Sequence, residues 1–506
     1  MKLEPEKCCE SGCIPCERDR EGEAPFDLEN YVNGKFVSHS NEDWLNVLEP
    51  ATGYRFARVP LSGTDDVDAA VSAARGAQAE WGGLSFGERA DWLDKIADAL
   101  EKKYEEIAAL ESRDTGKPIA LARAVDAYRS VANFRFFAGL IREKSAKPEE
   151  HFEMDDATNI VVSNPVGVAA LITPWNLPLY LLSWKVAPAI GMGNTVVCKP
   201  SELTPMTANL LMETLHEIGL PAGVVNLIHG DGAGAGSPLT SHANVDLVSF
   251  TGGTATGAKV AEAAAPQFKK LSLELGGKNA SIIFDDCDLE KTVEGVVRAS
   301  FLNSGQVCLC GSRILIQSGI YDEFVKKFVD AVEGMKIGDP SEDSTELGAI
   351  ISADHLEKVE SYVTLAKEEG GTTLTGGKPC IPNEFEHGYW LAPTVIEGLA
   401  PDSRCSTEEI FGPVVTLHKF ETEDDAVAIA NGTRYGLAGS VWVGDLDKGR
   451  RVAENIHTGM VWVNTWLHRD LRVPFGGVKD SGVGREGGRW SLGFFSEAMN
   501  ICLKHD

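Results

Sequence analysis

The chain has 506 residues, 43% of them hydrophobic and 24% charged, which suits a folded protein of two or three domains with a large core. Its formal net charge of −28 argues against binding to nucleic acid or to an anionic membrane. The same field repels an anionic cofactor or substrate at long range, so such a ligand needs fixed cations at its site.

The N-terminal run Met1-Lys-Leu-Glu-Pro-Glu-Lys-Cys-Cys9 lacks the apolar core of a signal peptide. No apolar run reaches the roughly 18 residues that a membrane helix needs. These features point to a cytoplasmic protein with no membrane partner. Cys8, Cys9, Cys13 and Cys16 cluster near the start, and Cys13-x-x-Cys16 has metal-ligand spacing. No His and no second CxxC accompany them. Segment 1–24 is expected to be a mobile tail, with a zinc or redox site as the alternative. Most of the other cysteines lie singly between 198 and 502, which is not a disulfide framework.

In chain order, Val37 to Pro60 reads as short strands and turns. Thr64 is placed to cap a helix that carries Val67, Ala70, Val71 and Ala74 on one face. Ala90, Leu93, Ile96, Leu100, Tyr104, Ile107 and Leu110 follow at spacings of three and four and predict a second helix. Asp114-Thr-Gly-Lys-Pro118 ends it. A third helix is expected from Ile119 to about Arg142. Val166–Thr173 is an apolar run of the kind found in a buried strand. A helix around Trp184–Gly191, a strand Thr195–Lys199, a helix Pro205–Ile218 and a strand Val224–Ile228 follow. Another strand, Val245–Phe250, leads into a helix toward Ala264. Repeated β-α-β units with short loops predict a doubly wound parallel α/β sheet. Residues 275–480 carry their own βα pattern, which predicts a second α/β domain.

Two glycine-rich runs do not bind ATP on this reading. His229-Gly-Asp-Gly-Ala-Gly-Ala-Gly236 lacks the GKS or GKT ending of a phosphate loop, and Gly252-x4-Gly257-Ala-Lys259 is a near miss. Phe250-Thr-Gly-Gly-Thr254 instead turns a strand into a helix whose N-terminus can face a pyrophosphate. Lys199-Pro-Ser-Glu202 follows a strand, where doubly wound sheets bind ligands. Lys199 can donate to ribose hydroxyls. Glu202 can accept from a 2′-hydroxyl and would repel a 2′-phosphate.

The runs Pro174-Trp-Asn176, Lys199-Pro-Ser-Glu202, Glu274-Leu-Gly-Gly-Lys278, Gly305-Gln-Val-Cys308, Glu409-Ile-Phe-Gly-Pro413 and Pro474-Phe-Gly-Gly477 occur in this order. Together they resemble the aldehyde dehydrogenase superfamily, over about residues 30–500. The resemblance implies that Cys308 attacks the aldehyde and forms a thioester after hydride transfer to NAD. Glu274 would activate the hydrolytic water, and Asn176 with the Cys308 N–H would stabilise the oxyanion. Cys310 is a neighbour, not a second nucleophile. The implied cofactor residues are Trp175, Lys199, Glu202, Gly252, Gly253, Thr254, Gly257, Glu409 and Phe411. No metal is implied.

Asn464-Thr-Trp-Leu-His-Arg469-Asp-Leu-Arg472 and Cys308-Leu-Cys-Gly-Ser-Arg313 resemble the branch that oxidises 2-aminomuconate and 2-hydroxymuconate semialdehydes. By that resemblance, Arg469 and Arg129 clamp the substrate carboxylate, although Ala127-Tyr128 stands where the branch has Ile-Pro. A general or betaine-type aldehyde dehydrogenase is the alternative enzyme, and a non-catalytic binding or structural protein of this fold is the alternative of another class. The family also implies a homodimer or homotetramer, joined by an arm at 143–163 and 481–506. Residues 25–142 and 164–274 would form the NAD-binding domain, and 275–480 the catalytic domain.

Overall fold

Val168–Ile172 is a strand in which every residue is buried. Val168, Ala170 and Ile172 join one apolar cluster, with Val67, Val71, Val197, Val248 and Val260. Ala169 and Leu171 join another, with Leu93, Phe137, Leu182 and Leu211. Alternate residues of a strand face opposite sides, so both faces of this sheet are covered by helices. Truncating Leu171 to Ala in such a core would cost about 2–5 kcal/mol. The structure is a computed structural model that describes residues 18–19, 24–41, 43–383 and 385–505. The cluster Cys8, Cys9, Cys13 and Cys16 lies outside them.

The parallel strands of the first sheet run Lys270–Glu274, Leu247–Thr251, Val168–Ile172, Thr195–Lys199, Val225–Leu227. The chain starts in the middle, moves outward on one side, then crosses to the other. Loops after Val168–Ile172 and Leu247–Thr251 therefore diverge, and a crevice opens between them at the strands' carboxyl ends. The second sheet runs Thr372–Thr375, Thr394–Glu397, Val414–Phe420, Arg313–Gln317, Ala280–Ile283, Ala438–Trp442, Met460–Val463, parallel except at its first edge. Its two faces form separate clusters, one around Ile283, Ile314, Phe324 and Leu417, the other around Ile282, Leu315 and Val441. A third, antiparallel sheet joins Ser496–Lys504, Ala157–Pro165 and Glu149–Glu153. Gly482–Val483 pairs with Leu273 and Glu274, so that part of segment 481–506 belongs to the first sheet. Among the described residues, no helix is long and apolar enough to cross a membrane.

Several elements differ from the sequence expectation. The helix Thr64–Gly83 is capped at Gly63, not Thr64, and the Asp66 carboxylate accepts the Gly63 N–H at 2.9 Å. The apolar pattern from Ala90 to Leu110 spans two helices, Phe86–Lys102 and Tyr104–Thr115, which break at Lys103. Both bury the same stripe into one core, so the 3.6 period continues across the break. The helix expected around Trp184–Gly191 begins earlier, at Pro178, a residue suited to a first helical position. The third helix contains a π turn at Ala122–Ala127 before it continues as Tyr128–Ala146.

Candidate active site

Cys308 lies half-buried in a cavity of about 510 Å³. Asn176, Glu274, Arg129 and Arg469 line the same cavity, as do Trp175, Gly252, Gly253, Glu409 and Phe411. The crevice of the first sheet explains part of this. Trp175 and Asn176 follow strand Val168–Ile172, and Gly252 and Gly253 follow Leu247–Thr251. Glu274 ends the adjacent strand. Lys199, Glu202, Thr254 and Gly257 are not in the wall around Cys308. They sit at the same edge of the sheet, after strand Thr195–Lys199 and at the start of helix Thr254–Ala264. Lys199 Nζ lies 3.4 Å from Glu202 Oε2. A Cβ on Gly257 would come within 2.4 Å of Leu275 Cδ2, so that helix can approach the sheet only with Gly there.

The loop that carries Cys308 has a run of left-handed residues. Asn303 and Ser304 have φ of 53° and 54°, in the left-handed region, which Asn tolerates and Ser seldom adopts. Gly305 follows at φ 71°, and a Cβ there would meet the Gly412 carbonyl at 2.2 Å. Only glycine lets the Glu409–Pro413 run pack this close. Side chains fix the loop from outside. Asn279 donates to the carbonyls of Cys308 and Cys310 at 2.7 and 2.9 Å, and Trp466 donates to that of Leu309 at 3.0 Å. Gln306 is tied to the Ile351 N–H at 3.0 Å.

Asn176 Nδ2 donates to the Gln306 carbonyl at 3.0 Å, which brings its amide against the loop that carries Cys308. Burial, with the negative charges of Glu409 and Glu274, raises the Cys308 thiol pKa. Cys310 is fully inside the core, and burial pushes its thiol up to about 12. Both Glu274 oxygens are buried without a hydrogen-bond partner. Burial, and then the charge of Glu486, holds its pKa well above the ordinary carboxylate value. Glu486 itself accepts from the fully buried Lys185 at 2.6 Å, and Lys185 also donates to Ser249 at 2.8 Å.

The two arginines of the cavity share one ring. The Arg129 guanidinium lies 5.7 Å from the centre of Trp184 and 4.9 Å from Tyr180. That of Arg469 lies 5.1 Å from Trp184 and 3.9 Å from Phe475. Arg129 Nε and Nη2 and Arg469 Nε are buried with no hydrogen-bond partner. Neither arginine has a carboxylate partner among the described residues.

Sequence reasoning gave no role to Asn279, His355, Lys185, Glu486 or Trp184. Asn279 directly follows the Glu274–Lys278 run, a signal of position only. His355 packs on Trp175 and Phe411 in the cavity wall, and its Nε2 donates to the Phe411 carbonyl at 2.7 Å. That bond supports Phe411, whose φ of 62° is left-handed. Among the described residues, no group of His, Cys, Asp and Glu is arranged to hold a metal.

The aldehyde dehydrogenase family model matches residues 36–501. The chain belongs to the aldehyde dehydrogenase family. It is 47% identical to the 2-aminomuconic semialdehyde dehydrogenase of Bos taurus over 483 residues, 94% of this chain and 98% of that one. It is 45% identical to the 2-hydroxymuconic semialdehyde dehydrogenase of a Pseudomonas species over 486 residues, 94% and 99% of the two chains. Its fold matches a structure of betaine aldehyde dehydrogenase from Staphylococcus aureus in complex with NAD+, with a TM-score of 0.92, 38% identity and 95% coverage of each chain. This aldehyde dehydrogenase thus has the mixed α/β fold of its family.

Proposed function

We propose that this aldehyde dehydrogenase oxidises a small semialdehyde that carries a carboxylate, of the aminomuconate or hydroxymuconate kind, with NAD as hydride acceptor. The observation that carries this reading is the pair of guanidiniums, Arg129 and Arg469, that face the cavity of Cys308 with no carboxylate partner among the described residues. Two half-buried cations without anions are costly unless the ligand supplies the anion. A planar carboxylate suits their fork of donors. A quaternary ammonium substrate of the betaine type would be repelled here.

The cofactor residues suit NAD. Helix Thr254–Ala264 has Gly253 at its cap and no side-chain cap, so its first N–H groups are available to a pyrophosphate. Glu202 and Lys199 stand at the next strand end for an adenosine ribose, and Glu409 and Phe411 face the cavity for the nicotinamide half. NAD, when bound, supplies the acceptor for a hydride. The Cys308 thiol gives up its proton to water, its Sγ forms a bond to the aldehyde carbon, and the carbonyl oxygen becomes an oxyanion. Asn176 Nδ2 and the Cys308 N–H hold that charge. The hydride departs from the same carbon and leaves a thioester on Cys308. Glu274 takes a proton from water, the hydroxyl adds to the thioester, and the acid leaves as the thiol re-forms.

Two units divide the work in this reading. Residues 25–142 and 164–274 bind the cofactor, and 275–480 present the nucleophile. The sheet Glu149–Glu153, Ala157–Pro165, Ser496–Lys504 serves as the arm of a homodimer or homotetramer. Its exposed Phe152, Met499, Ile501 and Leu503 support this, because an open apolar strand edge favours association. The protein works in the cytoplasm. A panel of carboxylated semialdehydes and neutral aldehydes, read by NADH formation, tests the proposal. Equal efficiency on hexanal and on a muconate-type semialdehyde would refute it.

A further inference from the structure

A cluster of charged side chains lies wholly inside the protein behind Asn176. Glu111, Asp114, Lys117 and Asp126 are all buried. Lys117 Nζ donates to Asp126 Oδ2 at 2.8 Å and to the backbone carbonyl of Asn176 at 3.0 Å. Asn303 Nδ2 reaches the same carbonyl at 3.2 Å. Glu111 stands 4.0 Å from Lys117 and accepts the Leu179 N–H at 2.8 Å and the Thr207 hydroxyl at 2.9 Å. Asp114 accepts the Met206 N–H at 2.9 Å. Burial raises all three carboxyls, Glu111 to about 8, Asp114 well above its usual range, and Asp126 against the opposing charge and hydrogen bond of Lys117. Of the three carboxyls only Asp126 hydrogen-bonds the ammonium, so it serves as the counter-charge of Lys117.

A buried ion pair of this sort is a poor route to stability, since desolvation offsets most of its attraction. It does fix geometry. The carbonyl it grips belongs to Asn176, whose side chain contacts the nucleophile loop through the Gln306 carbonyl at 3.0 Å. Asp126 comes from the π turn Ala122–Ala127, an irregularity common at functional sites. We propose that Lys117 is a positioning residue for the oxidation step: it anchors the Asn176 backbone to the Asp126 carboxylate and so aims the Asn176 amide at the oxyanion on Cys308. This inference rests on the proposed role of Asn176.

The test is a double-mutant cycle read by the pre-steady-state burst of NADH in the full-length enzyme, with NAD affinity and thermal midpoint measured alongside. Asn176→Ala alone should lower the burst rate by the 10²–10³-fold typical of a lost oxyanion donor. A normal burst in that variant would refute the role of Asn176 itself. Lys117→Met in the wild-type background should lower the burst by about tenfold to a hundredfold, with NAD affinity unchanged. In the Asn176→Ala background it should add less than about twofold, because no amide is left to aim. Equal losses in the two backgrounds would overturn the inference while leaving the Asn176 role intact. If Lys117→Met does not fold, Asp126→Asn enters the same cycle, since it keeps an acceptor for Lys117 but removes its charge. A smaller loss confined to the wild-type background is expected, and equal losses would again overturn the inference.

Discussion

Arg129 and Arg469 come from opposite ends of the chain, yet their guanidiniums lie 5.7 and 5.1 Å from the centre of the same Trp184 ring. Trp184 is fully buried on helix Pro178–Gly191. It offers one aromatic wall to both cations, and cation–π contact partly replaces the water they have lost. Burial, with the positive charge of Arg469 nearby, lowers the Arg129 pKa. An anion between them would relieve both effects.

Arg469→Ala should therefore act selectively. Removal of one partner of a buried charge pair costs about 2–5 kcal/mol, and that loss should appear in kcat/KM for carboxylated semialdehydes. Hexanal should be oxidised almost as before, because Cys308 and Asn176 are untouched. Parallel losses on the two substrates would make Arg469 a structural residue.

Glu274 should set a pH dependence. Its folded pKa is raised, by burial and then by Glu486, so it holds its proton at higher pH than an ordinary carboxyl. A general base works deprotonated, so deacylation should rise as pH rises through that value and fall below it. Glu274→Gln should leave the NADH burst and slow the steady state. Glu486→Gln removes a neighbouring negative charge and should move the inflection to lower pH. An upward shift, or none, would show that the two carboxyls do not interact.

The Cys308 thiol gives a second pH test. Its pKa is raised, first by burial and then by Glu409 and Glu274, so little thiolate exists at neutral pH without cofactor. Alkylation of Cys308 by iodoacetamide, followed by mass spectrometry, should accelerate about tenfold per pH unit through the neutral range with no plateau. Glu274→Gln should make alkylation faster at pH values where the wild-type carboxyl is ionised, and leave it unchanged where that carboxyl is protonated. A plateau below pH ~7 would sink this account.

Glu202 should enforce the choice of NAD over NADP. Its side chain is 37% exposed, so solvent screens it in part. Two like charges about 4 Å apart repel by roughly 1–4 kcal/mol between bulk water and a protein surface. Glu202→Ala should narrow the ratio of kcat/KM for the two cofactors by a comparable amount. An unchanged ratio would mean that selectivity lies elsewhere.

The fold class was legible in the sequence, and so were the residues proposed here as nucleophile and base. Gly305-Gln-Val-Cys308 and Glu274-Leu-Gly-Gly-Lys278 are short runs whose chemistry is written in adjacent residues. Val166–Thr173 announces a buried strand because an apolar run has to leave water, whatever its neighbours are. Only the tertiary structure decided the rest. The break at Lys103 was hidden because two helices that bury one core share one periodicity. The pairing of Lys117 with Asp126 and Asn176, of Lys185 with Glu486, and of two arginines with Trp184 joins segments that the sequence keeps apart. A buried charge looks the same in the sequence as a solvated one. What it does depends on which group meets it once water is gone, and folding alone settles that.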